Sequence, residues 1–436
     1  SVIGRRGIEK QFEDFLRGLD GEEKVIVDAK GRKQNLQVAP EILPPEEKNK
    51  EPIPGARLFL TIDWELQQHV EKIFNGLSGA IVVMNVKTGE LLSLLSKPSY
   101  NPAILSSGFT RKEKKVLDDN MYRPWRNKAI QDYYAPGSSY KIITALAALH
   151  YGVTNSDEKI FCPGYFTFGN YTWRCWKKEG HGEVNLRTAI AQSCDTFFYE
   201  MGKRLGIDNL SNVARDFGFG QKTDINIDGE QKGLLPDREW YKKSSFGYQR
   251  GNDINMAIGQ GAVVTTPIQL AVAFSALANG QQVVRPQIVK KIETVNGDTL
   301  FEMSVMIKHT LHYQQKNISL ILQGLDAVVN EPYGTTYIHR LGYPRVAGKT
   351  GTAQVQRLGK IIKKNFELQW KERDHAWFVA LAPSSNPEIV VVVFHEHGGS
   401  GSSNAAPYAM KIIQAYYDLQ ETRFNAFRLP LYSKPQ

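Results

Sequence analysis

The sequence predicts an α+β fold, an antiparallel sheet assembled from distant parts of the chain and flanked by helices. Two observations carry this reading. Strand-like stretches gather at the beginning and end of the region from about residue 56 onward, and the sequence between them, from about 100 to 345, is helical, polar and loop-rich. Composition supplies the third: 436 residues at 42% hydrophobic and 23% charged suffice to bury a large core, and they exclude disordered, collagen-like and coiled-coil chains.

The elements follow in order. Residues 7–19 place Ile8, Phe12, Phe15, Leu16 and Leu19 at helical spacing, and a hairpin is expected around Lys30 and Gly31. Fifty residues of this kind make a weak core, so they read as part of a larger module. The polar, Pro-bounded run 44–52 reads as a linker and places a boundary there, giving a partial N-terminal module over 1–55 and a second domain over 56–436. Residues 57–62 read as a strand, and Asp63 as the N-cap of a helix through Gln67, Val70 and Phe74. Residues 79–86, a Lys87-Thr88-Gly89 turn and residues 90–96 form a hairpin. Strands return at 346–355, 376–383 and 388–396, the last holding Val390, Val391, Val392, Val393 and Phe394, and a helix over 406–419 closes the chain. The Gly- and Ser-rich stretch 398–404 before it reads as a flexible linker.

Charge and ends set further bounds. Against 45 Asp and Glu stand 54 Lys and Arg, a net +9 that suits a negatively charged neighbour. No run of about 18 apolar residues is uninterrupted; the longest candidate, 263–278, contains Thr265, Thr266, Pro267, Gln269 and Ser275. The chain opens at Ser1 rather than Met, which suggests a processed or trimmed product from which any targeting or anchoring segment is missing. Basic clusters at 111–115 and 357–373 read as solvated faces, with salt-sensitive contact to anionic lipid or to peptide carboxylates as the alternative; no RNA- or DNA-binding motif accompanies them, so nucleic acid is not an expected partner.

The most informative segment runs Ala135-Pro136-Gly137-Ser138-Ser139-Tyr140-Lys141 into a helix apolar nearly all round. Ser138 sits at that helix's mouth, where free N–H groups and the dipole favour negative charge on its oxygen. Lys141, three residues on, faces the same side, and burial would let a neutral amine take the Ser138 proton. Alone this pattern is weak, because Ser156 and Lys159 match it in a polar loop. Ser193-Cys194-Asp195 supplies a second hydroxyl that can relay a proton. Lys349-Thr350-Gly351-Thr352 lies on a strand, where Lys349 offers a fixed positive charge, Thr350 a hydroxyl, and Gly351 room for a substrate backbone. Lys87-Thr88-Gly89, Ser384-Ser385-Asn386 and Ser402-Ser403-Asn404 fit the bare patterns but stand in the wrong order or context.

Taken together, Ser138-x-x-Lys141, Ser193-Cys194-Asp195 and Lys349-Thr350-Gly351 resemble the three motifs of β-lactamases and penicillin-binding proteins. The chain resembles the class B penicillin-binding proteins throughout, and within them the penicillin-binding protein 2 subgroup. Residues 4–18 look like the family's pedestal entry, and residues 61–63, 79–102, 259–261, 266–270 and 285–286 look like family segments in family order. One departure is Asp195, where most relatives carry Asn; an ionised carboxylate only accepts hydrogen bonds, which puts the usual donor role in doubt.

The resemblance implies a penicillin-binding, serine β-lactamase-like transpeptidase domain behind a truncated pedestal. It implies a peptidoglycan D,D-transpeptidase of lateral wall elongation: Ser138 attacks the carbonyl between two D-alanines of a stem peptide, D-alanine leaves, and a neighbouring stem's amine resolves the acyl-enzyme. The N–H groups of Ser138 and Thr352 would form the oxyanion hole, and Lys349 and Thr350 would hold the terminal carboxylate of the donor or of a β-lactam. Implied partners are a SEDS-family glycan polymerase, the elongation scaffold MreC and, through an anchor absent here, the periplasmic side of the bacterial inner membrane. No cofactor is expected for catalysis. A serine β-lactamase is the first rival, though no convincing deacylation Glu motif appears and the N-terminal module is superfluous for it. A non-catalytic β-lactam-sensing scaffold is the second, opposed by intact Ser138, Lys141 and Lys349.

The chain's three cysteines and one histidine cluster around the second motif as Cys162-x12-Cys175-x5-His181-x12-Cys194. Three thiolates and an imidazole complete a tetrahedral structural zinc set with no open position for catalysis. A single disulfide plus a free thiol, or three unrelated buried cysteines, are the bland alternatives. Cys194 favours the metal, because an ion there would pin the loop carrying Ser193 and Asp195, and some penicillin-binding protein 2 relatives carry a metal site in this region.

Overall fold

The computed structural model describes residues 3–23, 25, 27–33, 49–103, 108, 110–355 and 367–428. The chain divides into two compact units, one of residues 1–61, 226–228 and 289–304, the other of 62–225, 229–288 and 305–436.

In the first unit the expected helix over 7–19 is two short ones, Gly7–Gln11 and Glu13–Leu16, with none of their residues buried. Beyond them Leu19 bridges Ile53, and Glu22–Glu23 pairs with Asn49–Lys50. The hairpin expected at Lys30 and Gly31 is present: Val27 bridges Lys33, and the Asp28 carboxylate accepts from the N–H groups of Lys30 and Arg32. Residues 44–48 of the expected linker lie outside the described residues. The boundary differs from the one expected at 55. Strand Arg57–Leu60 stays in this unit because its partner is Val289–Glu293, which also pairs with Thr299–Glu302. A partner some 230 residues away leaves no mark on local composition.

The second unit is built on five antiparallel strands: β1 (Gly79–Asn85), β2 (Leu91–Lys97), β3 (Ala347–Ala353), β4 (His375–Ala382) and β5 (Ile389–His395), in the spatial order β3-β4-β5-β1-β2. As the sequence implies, strands from both ends of the region meet, β5 pairing with β1 from Ile389 opposite Asn85 to His395 opposite Gly79. Burial along β5 is unbroken up to His395 rather than alternating, so both faces of the sheet are covered. Helix α1 (Trp64–Ile73), capped by the Asp63 carboxylate accepting from the Leu66 N–H, packs with the closing helix against the sheet.

Helix α2 (Lys141–His150) is buried from Lys141 through Ala148. Helix α3 (Leu186–Ala191) and helix α4 (Asp195–Asp216) follow in chain order, joined by Gln192, Ser193 and Cys194, so that the second motif runs from this link into the first residue of α4. The apolar run singled out in the sequence becomes α5 (Pro267–Ala278). Thr266 and Gln269 form its capping box, Pro267 occupies the first turn, and only Ala278 escapes burial. Helix α6 (Gln315–Asn330) packs on α3 and β3, and α7 (Ala406–Arg428) closes the unit. Among the described residues no helix is long and apolar enough to cross a membrane.

A charged network lies inside this unit beside the sheet. Lys128, fully buried, donates to Ser78 Oγ at 3.0 Å and lies 3.3 Å from the buried Glu396 carboxylate, which also pairs with Arg123 and accepts from the Tyr134 hydroxyl. Next to it, His375 at the start of β4 accepts the His397 N–H on Nδ1 at 2.9 Å, and burial, then the nearby His397, hold its pKa down to about 3. Because the folded pKa lies below the unfolded value of 6.5, the unfolded chain takes the proton first. Stability from this residue is full above pH 6.5 and is lost as pH falls toward 3. Denaturant titrations from pH 7 to pH 4 should show a His375→Phe variant losing less stability on acidification, by up to about 1.4 kcal/mol per pH unit; parallel slopes would contradict this.

Candidate active site

Ser138 lies on a 3₁₀ turn, Gly137–Tyr140, immediately before α2. The turn is fixed from three sides. Trp377 of β4 donates its indole N–H to the Ala135 carbonyl at 3.1 Å, the Gly137 N–H reaches the Gly259 carbonyl at 2.9 Å, and the Ser139 hydroxyl donates to the Pro136 carbonyl at 2.7 Å. Two glycines make the fit possible. A Cβ at Gly137, where φ is +54°, would meet the Thr352 carbonyl at 2.6 Å, and one at Gly351 would meet the Pro136 carbonyl and Trp377 Cβ at 2.9 Å. Gly351 was expected to make room for a substrate backbone. Its missing side chain also lets β3 dock against the turn that carries Ser138.

The second motif is shaped by the end of α3. The Cys194 N–H bonds the Ala189 carbonyl at 3.0 Å and the Ser193 N–H bonds the Ile190 carbonyl at 3.2 Å, the paired bonds of a Schellman termination. Ser193 occupies the left-handed position, φ +53°, usually given to glycine. The strain is held by donors on its carbonyl: Lys141 Nζ at 2.9 Å and the Trp176 indole at 3.1 Å. Cys194 is then the N-cap of α4 and places Asp195 in its first turn, where a carboxylate is favoured.

Four predicted residues converge. Lys141, fully buried, donates to Ser193 Oγ at 3.2 Å and pairs with Asp195 Oδ1 at 2.6 Å. Lys349, fully buried on β3, donates to the same Ser193 Oγ at 2.9 Å. Asp195 Oδ2 accepts the Trp176 backbone N–H at 2.9 Å, so both its oxygens act as acceptors, as its charge requires. Ser138 opens on the cavity with Ser193, Asp195, Thr350 and Thr352. Among the described residues the Ser138 hydroxyl makes no hydrogen bond; the Lys141 amine is drawn instead toward the Asp195 carboxylate. Burial first, then the adjacent Lys141 charge, pushes the Lys349 ammonium well below the ordinary lysine range. Asp195→Ala would strand Lys141 in the interior, with an expected loss of about 3 kcal/mol measured by denaturant unfolding. Asp195→Asn, whose amide oxygen still accepts, should lose clearly less.

The cavity enclosed by these residues measures about 930 Å³. Its walls include residues that no motif marked. Gln260 donates to the Thr352 carbonyl at 3.4 Å, and the Thr335 and Thr350 hydroxyls lie 3.2 Å apart. Ser400 and Ser402 line it from the stretch read as a linker. That stretch is not a free connection: Gly401–Asn404 is a helical turn whose first N–H donates to Thr352 Oγ1 at 3.3 Å. Of the walls outside the three motifs, the sequence had signalled Gln260, through the Gly259-Gln260-Gly261 segment.

Cys162, Cys175, His181 and Cys194 also come together, with all four donor atoms within 4.8 Å of one another. His181 Nδ1 lies 3.5 Å from both Cys162 Sγ and Cys175 Sγ. None of the three cysteines, all buried, forms a disulfide. Hydrogen bonding with Cys194 holds the Cys162 and Cys175 thiols down, to about 5 and about 2, while the same sharing pushes Cys194 up. The cluster adjoins the acyl-transfer residues on two sides, through Cys194 between Ser193 and Asp195 and through Trp176, next to Cys175, on Asp195.

Residues 79–414 match the family described as penicillin binding protein transpeptidase domain, and residues 1–60 match the penicillin-binding protein dimerisation domain. The chain is 36% identical over 443 aligned residues to peptidoglycan D,D-transpeptidase MrdA of Haemophilus influenzae, covering 99% of this chain and 65% of that relative's length. Among solved structures, Pseudomonas aeruginosa PBP2 in complex with WCK 5153 aligns with a TM-score of 0.78 at 34% identity, over 95% of this chain and 82% of that one. PBP2 of Helicobacter pylori in complex with MreC aligns with a TM-score of 0.81 at 29% identity, over 96% and 72%. With three motifs on one cavity and a family match across most of its length, the chain belongs to the penicillin-binding protein transpeptidase family.

Proposed function

We propose that this chain is the catalytic part of a peptidoglycan D,D-transpeptidase that works through a Ser138 acyl-enzyme. The observation that carries the proposal is that Ser138 and Ser193 line one cavity while Lys141 and Lys349, from separate stretches of chain, both donate to Ser193 Oγ. Ser138 Oγ attacks the carbonyl carbon between two D-alanines and its proton passes, directly or through Ser193, to Lys141 in its neutral amine form, the Lys141–Asp195 ion pair being the state after this transfer. The carbonyl oxygen takes the negative charge, facing the N–H groups of Ser138 and Thr352. Collapse breaks the peptide bond, and the departing D-alanine amine takes a proton back through Ser193. A second stem's amine then attacks the ester, gives up a proton by the same route and releases Ser138. Asp195 stabilises the Lys141 ammonium formed on the way, and Lys349 and Thr350 receive the donor's terminal carboxylate. Gly351 holds β3 against the Ser138 turn.

The cysteine cluster fits a structural zinc. Zn–S bonds of about 2.3 Å and a Zn–N bond of about 2.0 Å put sulfur and nitrogen about 3.5 Å apart in a tetrahedron, the spacing found between His181 Nδ1 and two of the thiols. Cys162, Cys175, His181 and Cys194 would hold it, and its service would be to fix the Ser193-Asp195 turn. The dimerisation-domain match over residues 1–60 and the relatives support that stretch as the start of a pedestal, the transpeptidase domain after it, a periplasmic setting at the inner membrane, and partnership with an MreC scaffold and a SEDS polymerase.

Incubation with a penicillin followed by intact-mass measurement tests the central claim. One lasting adduct on Ser138, absent from Ser138→Ala, is the expected result. An adduct that disappears within seconds would identify a β-lactamase, and no adduct at any concentration would remove the acyl-transfer reading.

A further inference from the structure

A second cavity, about 920 Å³, lies beside the first and shares Ser400 with it. Its lining has basic side chains and rings but no carboxylate: Lys97 and Arg373, the imidazoles of His395 and His397, and the Tyr122 and Trp370 rings edge to face at 4.6 Å. The carboxylates around it are already matched. Glu71 pairs with Lys97, and Glu396, behind Ser78, is held by Lys128 and Arg123. Arg373 is different, since its guanidinium donates to the Leu368 carbonyl at 3.2 Å and pairs with no carboxylate among the described residues. Nothing in the acyl-transfer chemistry uses this cavity.

We propose that the second cavity binds the acidic glycopeptide strand that supplies the acceptor amine, an inference that rests on the transpeptidase reading. A transferase that has stored one substrate as an ester must hold a second beside it, and the shared Ser400 edge lets one chain occupy both spaces. A stem-peptide carboxylate pairs with Arg373, the strongest kind of contact such a residue offers. A sugar ring or apolar side chain lies against Trp370 and Tyr122. The polar rim supplies hydrogen bonds that orient the strand.

The test uses the whole chain, first acylated with penicillin so that the Ser138 cavity is filled, and then titrated with a purified disaccharide-tetrapeptide by calorimetry. The acylated protein should bind it, and Arg373→Ala should weaken binding about 10- to 100-fold while leaving the rate of penicillin acylation unchanged. Trp370→Ala should weaken it too, and a tetrapeptide whose carboxylates are amidated should bind the wild type no better than it binds Arg373→Ala. Absence of binding to the acylated chain, or equal affinity of wild type and Arg373→Ala, would overturn the proposal. If no adduct forms on Ser138, the transpeptidase reading fails separately, and titration of the Ser138→Ala chain still reports whether the second cavity binds.

Discussion

Replacing Lys141 with methionine should slow penicillin acylation of Ser138 by about 100- to 10,000-fold, measured as the rate of adduct formation by mass spectrometry. The expectation follows from placement. Lys141 is fully buried and touches the two groups of the second motif, Ser193 Oγ at 3.2 Å and Asp195 Oδ1 at 2.6 Å. The substitution has a side effect that must be separated from chemistry, because it leaves the Asp195 charge in the interior without its partner, at a cost of about 3 to 5 kcal/mol. The double variant Lys141→Met with Asp195→Asn removes both charges at once. It should recover most of the lost stability while acylation stays as slow as in the single variant. If the double variant recovers acylation together with stability, Lys141 holds the fold and does not carry the proton.

The sheet was legible in the sequence because its signals are local. Val390 to Phe394 is an apolar run of strand length, Lys87-Thr88-Gly89 is a turn, and Thr266-Pro267 with Gln269 is a helix start that needs no tertiary information. The Ser138 helix was legible for the same reason, its apolar surround announcing burial before any partner is known. What escaped depends on partners far away in the chain. Strand Arg57–Leu60 pairs with Val289–Glu293, so the end of the first unit could not be placed from composition. The role of Gly351 is set by the Pro136 carbonyl across the site, and the stretch 398–404 is ordered by Gly351 and Thr352 rather than by its own propensity. The substitution at Asp195 was visible, but the lysine it would draw in was not; only the Schellman end of α3 and the Cys194 cap bring the carboxylate to Lys141.

Protein purified without chelator should carry close to one zinc per chain by elemental analysis, and removing it should lower the melting temperature and slow acylation of Ser138 by about 10- to 100-fold. The coupling is geometric. Ser193 is held in a left-handed conformation that an L side chain resists, and Cys194 beside it is one of four donors gathered within 4.8 Å. Without an ion, those donors lack the centre that draws them together, and the turn loses its tether on the Cys194 side. Trp176, which follows Cys175, would loosen its N–H on Asp195, so both acceptors of Lys141 would move. Cys175→Ser should reproduce the metal-free state in both readouts, and restoring zinc should rescue the stripped wild type but not this variant. A zinc content near zero, or a Cys162–Cys175 disulfide found by peptide mapping, would overturn the assignment. Full zinc with acylation unchanged after its removal would assign the ion to the stability of the 160–184 segment alone, leaving the strained Ser193 turn to be held by Lys141 and Trp176.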